Sequence, residues 1–367
     1  MKDITSYGLT SVPFKSGSFV NPNLTDARIN GKIFFRPVMK ESLDELLHRI
    51  DTKRKITYVG FEDTSRGYGK SAVLAAAYWE LKSKSKGNVI PIWVSIIDFR
   101  RMEQVLVRIV DAMVTEGILK TIKDSIGELT QDNVRKRLSD FKISVSPSEV
   151  SALREILKQE ENYMPWRFSN LRRTYKQLSL FEIFVDLVEL YVDKSNQRMV
   201  IFLDQFEDFV IYHYGSRLID LTEELRDVMR AAAQLPMSMI MTIHPDAEVK
   251  IQQMPEKELI SYGAEIRGNV IRIPRLDPQG LIGVAKCYLA EFRPENFDKN
   301  KRESYPFDEA LLHEVAERSN GNLRRMLTVL LNILNEAMSA DYGPPIDSKY
   351  LKDTRLRIRV GLEFQED

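Results

Sequence analysis

The chain has 367 residues, of which 43% are hydrophobic and 29% are charged, an ordinary composition for a soluble globular protein. Its 53 basic residues balance 53 acidic residues, which excludes a general polycation, so any nucleic-acid surface must be local. The single cysteine, Cys287, excludes an internal disulfide, and the absence of long apolar runs and of a signal peptide predicts a cytoplasmic protein.

The first predicted elements lie ahead of a glycine-rich loop. Residues 1–35 carry scattered glycine, proline, asparagine and serine, which predicts an N-terminal arm whose aromatic residues, Phe14 among them, pack on the folded part. Leu43 and Ile50 then mark the apolar face of a helix. The β-branched and aromatic run Ile56–Val59 predicts a buried strand after this helix.

This strand leads into a loop with two glycines, followed by Lys70, Ser71 and an alanine-rich helix start. Strand, glycine loop, Lys-Ser and helix in this order form the phosphate-binding loop of P-loop NTPases. Backbone N–H groups and the helix N-terminus bind phosphate oxygens there, Lys70 is expected to reach the β- and γ-phosphates of ATP, and Ser71 to hold Mg²⁺. The candidate nucleotide-binding residues of the loop are Arg66, Gly67, Tyr68, Gly69, Lys70, Ser71 and Ala72.

The loop departs from the usual pattern G-x-x-x-x-G-K-[ST] at its start. Counting back from Gly69 places Thr64 where the first glycine belongs. The nearest earlier glycine is Gly60, so the loop is longer than usual and carries Glu62 and Asp63. Taken alone, the stretch could also be a glycine-rich turn before a helix.

The next region is mostly helical. Asn88–Ile96 predicts a second buried strand, and residues 101–180 exceed what a minimal P-loop core needs, which predicts a helical insertion. Ser146 and Ser179 each stand three residues before a glutamate, the spacing of a capping box at a helix start. Between residues 166 and 176 aromatic and basic side chains interleave, which could serve nucleic acid or form a solvated helix face.

A second signature follows the insertion. Met199–Leu203 predicts a hydrophobic strand that ends in Asp204, at the edge of an α/β sheet where ligands bind. Asp204 is expected to complete the Mg²⁺ shell with Ser71. Gln205 comes directly after it, so the general base is open: Glu207 could activate the attacking water, or the site could hydrolyse slowly and work as a switch.

Two sequences carry a family resemblance. TSRGYGKS and LDQFEDF resemble the Walker A and Walker B motifs of AAA+/STAND P-loop ATPases, and the first is similar to the loop of origin-recognition-type AAA+ proteins. The resemblance implies an α/β fold: a three-layer P-loop core with a parallel sheet, a helical insertion and a C-terminal all-helical lid. It divides the chain into the arm (1–35), the core (36–275), the lid (276–340) and a tail (341–367).

The resemblance also implies roles for residues downstream. The strand Met237–His244 ends where AAA+ proteins place sensor 1, and Thr242 or His244 would fill that position. An arginine finger often precedes the last core strand, and Arg267 is the closest match. In the lid, SNGNLRRML is similar to the motif that carries sensor 2, which corresponds to Arg324. These assignments make Lys70, Asp204, Glu207, Arg267 and Arg324 the candidate catalytic residues.

The tail matches the family less well. Origin-recognition proteins continue into a winged-helix domain, and the 27 residues after Ala340 are too few for one. Arg355–Phe364 alternates polar and apolar residues, which predicts a strand that docks on the core or on a partner's sheet.

By this resemblance the chain is an ATPase with ATP and Mg²⁺ as cofactors, a partner protein, an ATP-dependent oligomer and no membrane association. It would remodel or assemble a nucleoprotein or defence complex, with DNA as a further candidate partner. Two alternatives stay open: a STAND-like signalling switch, and a non-hydrolysing ATP-binding scaffold indicated by Thr64 and Gln205. The arm could cover the adenine or fill a surface groove.

Overall fold

The computed structural model describes residues 3–14, 39–61, 69–84, 88–96, 101–158, 179–211, 216–252, 266–298 and 300–361. The chain forms two compact units. The first, here called the sheet unit, comprises Glu45–Gly60 and Ala77–Ile271. The second, here called the terminal unit, comprises Met1–Asp44, Phe61–Ala76 and Arg272–Asp367. The predicted residues Thr64, Arg66, Gly67 and Tyr68, and the aromatic and basic stretch 166–176, lie outside the described residues.

A five-stranded sheet contains the strands that the sequence predicts. Its strand order is β2-β3-β4-β1-β5, and the pairs β2–β3, β3–β4 and β4–β1 are parallel. Parallel strands need crossover connections, and the helices between the strands supply them. The strands are β1 (Ile56–Phe61), β2 (Val89–Ser95), β3 (Arg198–Asp204), β4 (Met237–Thr242) and β5 (Val270–Ile273).

Ten α-helices that precede β5 have described bounds. Apolar residues at helical spacing explain them: in α7, for example, the buried side chains recur every three to four residues along the helix. These helices are α1 (Lys40–Asp51), α2 (Lys70–Lys84), α3 (Met102–Thr115), α4 (Ile118–Ile126), α5 (Gln131–Ser139), α6 (Pro147–Lys158), α7 (Leu180–Ser195), α8 (Phe206–Ile211), α9 (Ser216–Gln234) and α10 (Pro245–Gln252). No helix in the described ranges is long and apolar enough to cross a bilayer.

The predicted insertion is helical where it is described, and both predicted caps are present. Ser146 and Glu149 form a reciprocal capping box at the start of α6, with N–H to oxygen distances of 3.2 and 3.3 Å. At the start of α7 the Ser179 hydroxyl accepts from the Glu182 N–H at 3.4 Å. Helices α3 to α7 share one hydrophobic cluster with the sheet.

A buried group of charged side chains joins the loop before α6 to α7. The Lys142 ammonium lies 2.6 Å from Oδ1 of Asp186 and pairs with Glu149 as well. Asp186 is completely buried. Burial raises the pKa of Asp186 to about 8, with Lys142 opposing that shift and Glu149 adding to it. Two carboxyl groups therefore share one cation in this part of the core.

The terminal unit is helical after β5 and includes the start of the chain. Its remaining described helices are α11 (Pro278–Glu291), α12 (Glu309–Ser319), α13 (Leu323–Ser339) and α14 (Thr354–Val360). The Tyr7 hydroxyl donates to the carbonyl of Tyr342 at 2.5 Å. The buried Phe14 ring lies 6.0 Å from the ring of Tyr288. The beginning of the arm therefore packs on these helices, as the sequence predicts for Phe14, while residues 15–38 lie outside the described ranges.

The predicted strand in the tail is wrong. The segment forms the helix α14 instead, capped by Asp353, whose carboxylate accepts from the Arg355 N–H at 2.9 Å. Leu356 and Val360, four residues apart, are buried, while Ile358 between them is 42% exposed. Alternation of apolar residues fits a strand, but burial of only the i and i+4 positions is the pattern of a helix that packs on one face.

Candidate nucleotide site

The carboxyl ends of the strands bring several predicted residues to one edge of the sheet. Asp204 ends β3, is 1% exposed and stands in register with Ser95 at the end of β2. Thr242 ends β4 and is in register with Val59 of β1. Ligands of open α/β sheets bind outside such carboxyl ends. Asp204 therefore stands at the carboxyl end of its strand, as the sequence predicts.

Gln205 turns the chain sharply at this edge. It has φ of 61°, a left-handed conformation that costs a non-glycine residue about 1–2 kcal/mol. The Ser95 hydroxyl donates to its side-chain oxygen at 3.2 Å, which helps to hold this conformation. Because the turn takes a single residue, α8 begins at once and Glu207 falls in its first turn. Ser95 is a contact that the sequence analysis missed, although its place at a strand end could have indicated it.

Thr242 connects the turn to the next strand. Its hydroxyl oxygen accepts from the Phe206 N–H at 3.1 Å and donates to the carboxylate of Glu207. The Thr242 side chain is fully buried, so this contact is shielded from water. The structure therefore brings together two residues that the sequence analysis treated separately: the sensor 1 candidate Thr242 and the base candidate Glu207.

The other sensor 1 candidate, His244, has a local contact. It is buried just before α10, and its Nδ1 accepts from the backbone N–H of Asp246 at 3.2 Å. His244 thus helps to satisfy the first turn of α10, whereas Thr242 contacts the base candidate.

The end of the predicted phosphate-binding loop is described from Gly69 onward and belongs to the terminal unit. Gly69 has φ of 104°, a conformation that favours glycine, and its carbonyl accepts from the N–H groups of Ala72 and Val73 at 3.0 Å. Lys70 and Ser71 occupy the first turn of α2, and Lys70 is buried. Placement of these residues at a helix N-terminus is what a phosphate-binding loop requires.

Arg324 stands in the first turn of α13 with its side chain exposed. The turn before it is tightly built: Gly321 has φ of 78°, and a Cβ there would lie 2.3 Å from Cγ of Arg275. Arg275 in turn donates to Oδ1 of Asn320 at 3.1 Å. Asn322 caps the helix by accepting from the Arg325 N–H at 3.0 Å. The glycine and asparagine of the predicted motif thus build the turn that presents Arg324.

Arg267 lies at the other edge of the sheet. It is exposed on a helical turn, residues 266–269, directly before β5. This turn is hydrogen-bonded to Arg54, which comes two residues before β1. Because the strands are parallel and about 3.3 Å is gained per residue, the amino and carboxyl edges are roughly 20 Å apart. The structure therefore separates Arg267 from Asp204 and Thr242 of the same chain.

Two structures of one protein are similar to this chain over most of its length. The ADP form of the Aeropyrum pernix ORC2 protein matches with a TM-score of 0.52 and 12% identity, covering 95% of this chain and 71% of that chain. The ADPNP–ADP complexes of that protein match with a TM-score of 0.52 and 13% identity, covering 96% and 72%. Cdc6p from Pyrobaculum aerophilum matches with a TM-score of 0.44 and 14% identity, covering 93% and 67%.

The sequence by itself has no detectable relative among curated proteins, and no protein-family model matches it. Identities of 12–13% support a conclusion about the fold alone. The chain has the fold of an origin-recognition-type AAA+ protein.

Proposed function

We propose that this chain binds Mg-ATP and hydrolyses it, and that the nucleotide state controls its assembly with other subunits. The observation that carries the proposal is the buried Asp204 at the carboxyl end of β3, followed three residues later by Glu207, whose carboxylate Thr242 orients. The ORC2 structures similar in fold are an ADP form and ADPNP–ADP complexes, which supports an adenine nucleotide as ligand.

Each of the two predicted magnesium ligands, taken by itself, has the chemistry that the ion prefers. Mg²⁺ prefers hard oxygen ligands and takes one or two carboxylates together with substrate phosphates. Asp204 offers a buried carboxylate, and Ser71 offers a hydroxyl at the start of α2. When bound, the ion would neutralise charge on the β- and γ-phosphates. Lys70, in the same helical turn as Ser71, would add a positive charge for the phosphates.

Glu207 is the residue that we propose as general base. Its carboxylate is half-buried and accepts from the Thr242 hydroxyl, so its orientation is restricted. A base must be held within hydrogen-bond reach of the attacking water. Gln205, directly after Asp204, is an amide and cannot take a proton. Of the two acids in the first turn of α8, Glu207 is the one that the Thr242 hydroxyl orients.

We propose that Arg267 acts on the nucleotide of a second copy of the chain, and that Arg324 acts as sensor 2. The distance between the two sheet edges supports a trans role for Arg267, because the side chain of an arginine cannot cover roughly 20 Å within its own subunit. This arrangement predicts an ATP-dependent oligomer. We propose a protein or nucleoprotein assembly, with DNA as one candidate component, as the object of its work.

A phosphate-release assay tests the enzymatic part. Wild type, Lys70→Ala and Glu207→Gln are compared, with Asp208→Asn as matched control because it changes a neighbouring acid in the same helical turn. We expect release by wild type and Asp208→Asn, and background rates for the other two. Equal background rates for all four proteins would contradict hydrolysis and favour the non-hydrolysing scaffold.

Nucleotide binding and assembly have separate measurements. ATP at about 100 times its Kd should stabilise the wild type by roughly 2.7 kcal/mol, and Lys70→Ala should lose this stabilisation. Light scattering with and without ATP, repeated with duplex DNA, then measures assembly. A wild-type protein that shows no thermal shift with millimolar ATP would contradict the nucleotide site itself.

A further inference from the structure

Two arginines fasten the turn that carries Arg267. Arg49, in the last turn of α1, donates from Nη1 to the backbone carbonyl of Asn269 at 2.8 Å. Arg54 donates from Nε and Nη2 to Oδ1 of Asn269 at 3.0 and 2.8 Å. Its Nη2 also donates to the carbonyl of Gly268 at 3.2 Å. Both the backbone and the Asn269 side chain of this turn are therefore held by guanidinium groups.

We call the hydrogen bonds from Arg49 and Arg54 to Gly268 and Asn269 the clamp. The Arg49 side chain is itself held in place. Arg49 is mostly buried, and its Nη2 donates to the carboxylate of Glu45, one helical turn earlier, at 2.5 Å. Arg54 stands between α1 and β1, so both arginines belong to the segment of the chain that leads into β1. Charge-assisted hydrogen bonds of this kind are stronger than neutral ones. The turn is thereby tied to α1 and to the residues that precede β1.

Arg267 lies two residues before Asn269 and extends into solvent. Within the described part of the chain, no hydrogen bond or ion pair engages its guanidinium. A long side chain loses about 1.5–2 kcal/mol of conformational freedom when it is ordered. Because hydrogen bonds already hold the backbone of this turn, less conformational freedom remains to be lost when the Arg267 side chain binds a charged group.

We propose that Arg54, assisted by Arg49, is a positioning residue that presents Arg267 to the phosphates of a nucleotide bound by a second copy of the chain. This inference rests on the proposed function, in which Arg267 acts in trans. Arg54 has the larger part because it makes three of the four hydrogen bonds of the clamp. Its planar fork matches two acceptors at once, which the single ammonium of a lysine cannot do.

The first experiment separates positioning from binding. We expect Arg54→Met to lower kcat for phosphate release at least tenfold while leaving KM and ATP-dependent stabilisation near wild type, since a displacement of about 1 Å can cost about 100-fold. Asn269→Ala removes the acceptor from the same clamp and should act alike. Asn269→Asp retains the accepting oxygen and should keep the wild-type rate.

Arg230→Met is the matched control. Arg230 is an exposed arginine near the start of β1 that pairs with Asp227 at 3.3 Å, one helical turn away. Its removal changes the net charge as Arg54→Met does but leaves the clamp intact. We expect a wild-type rate for this control.

The second experiment uses mixed oligomers. Lys70→Ala subunits lack a working nucleotide site but keep Arg267, whereas Arg54→Met subunits keep the site and lose the positioned arginine. In a random equal mixture with head-to-tail interfaces, roughly a quarter of the sites combine both intact parts. We expect the mixture to release phosphate faster than the sum of the two proteins measured alone. A purely structural defect of Arg54→Met would show no such recovery.

The outcomes distinguish this inference from the proposed function. A wild-type rate for Arg54→Met and Asn269→Ala beside an inactive Arg267→Ala would overturn the positioning role alone. Absence of recovery in the mixture would also overturn it, because the damage would then lie in the subunit's own site. A wild-type rate for Arg267→Ala, or for Lys70→Ala, would instead overturn the proposed function.

Discussion

The hydroxyl of Thr242 joins the end of β4 to the carboxylate of Glu207, and it accepts at the same time from the Phe206 N–H at 3.1 Å. One side chain thus accepts a hydrogen bond from the first backbone N–H of α8 and orients the residue that we propose as general base. Both hydrogen bonds depend on the left-handed Gln205, which starts α8 immediately after β3.

We predict that Thr242→Val lowers phosphate release at least tenfold while ATP still stabilises the protein. Valine keeps the shape of the side chain but cannot orient Glu207, and it leaves the buried Phe206 N–H without its acceptor, at a cost of about 1–3 kcal/mol. Thr242→Ser should retain most activity. The measurements are single-turnover phosphate release and thermal unfolding with and without ATP.

Thr57→Val is the control for this prediction. Thr57 is a buried threonine on β1 whose hydroxyl has no hydrogen-bond partner in the described structure. Its removal should leave activity and stability close to wild type. Equal loss of activity in Thr57→Val and Thr242→Val would mean that general packing, and not the contact with Glu207, explains the effect.

The buried carboxyl of Asp186 should make stability depend on pH. Burial raises its pKa to about 8, whereas in the unfolded chain it is about 3.9. Between these values the native state holds a proton that the unfolded state releases, so the free energy of unfolding falls as pH rises, by up to about 1.4 kcal/mol per unit.

Asp186→Asn tests this relationship. Asparagine is neutral throughout, so the variant should lose this contribution and show a flatter decrease of stability between about pH 5 and pH 8. Urea unfolding at several pH values measures it. Asp193→Asn, on the same helix and partly exposed, should retain the wild-type slope. Parallel pH profiles for wild type and Asp186→Asn would refute the prediction.

Phe14 should stabilise the terminal unit although it belongs to the N-terminal arm. It is 1% exposed and its ring lies 6.1 Å from that of Phe307. Removal of a buried phenylalanine costs about 3–5 kcal/mol. We expect Phe14→Ala to lower the unfolding temperature and Thr5→Ala, an exposed change in the same segment, to leave it unchanged. An unchanged unfolding temperature for Phe14→Ala would mean that the segment does not pack on the terminal unit in solution.

The burial pattern of α14 predicts different costs of substitution from those expected for a strand. Val360 is fully buried and Ile358 is 42% exposed, so Val360→Ala should cost about 2 kcal/mol and Ile358→Ala less than about 0.5 kcal/mol. On a strand the two side chains would share one face and cost similar amounts. Chemical denaturation of both variants distinguishes the two structures.

Local patterns in the sequence were sufficient to predict the strands and the two helix caps. The runs around Ile56, Met199 and Met237 are apolar on both faces, as the strands of a covered parallel sheet must be, and the caps at Ser146 and Ser179 rely on residues three positions apart. The candidate residues Asp204 and Lys70 were found in the same way, because their positions depend only on the strand end or helix start beside them.

Only the tertiary structure decided which residues meet. Glu207 contacts Thr242, 35 positions away, because β4 lies beside β3, and strand order is not written in the spacing of either strand. The clamp between Arg54 and Asn269 spans 215 positions for the same reason. In the tail, the spacing of Leu356, Ile358 and Val360 is compatible with a strand and with a helix. The segment forms a helix because it buries one face, which carries Leu356 and Val360. The sequence by itself determined the pieces of the proposed nucleotide site. The order of the strands decided that Thr242 holds Glu207 beside the end of β3, while Arg267 lies at the opposite edge of the sheet.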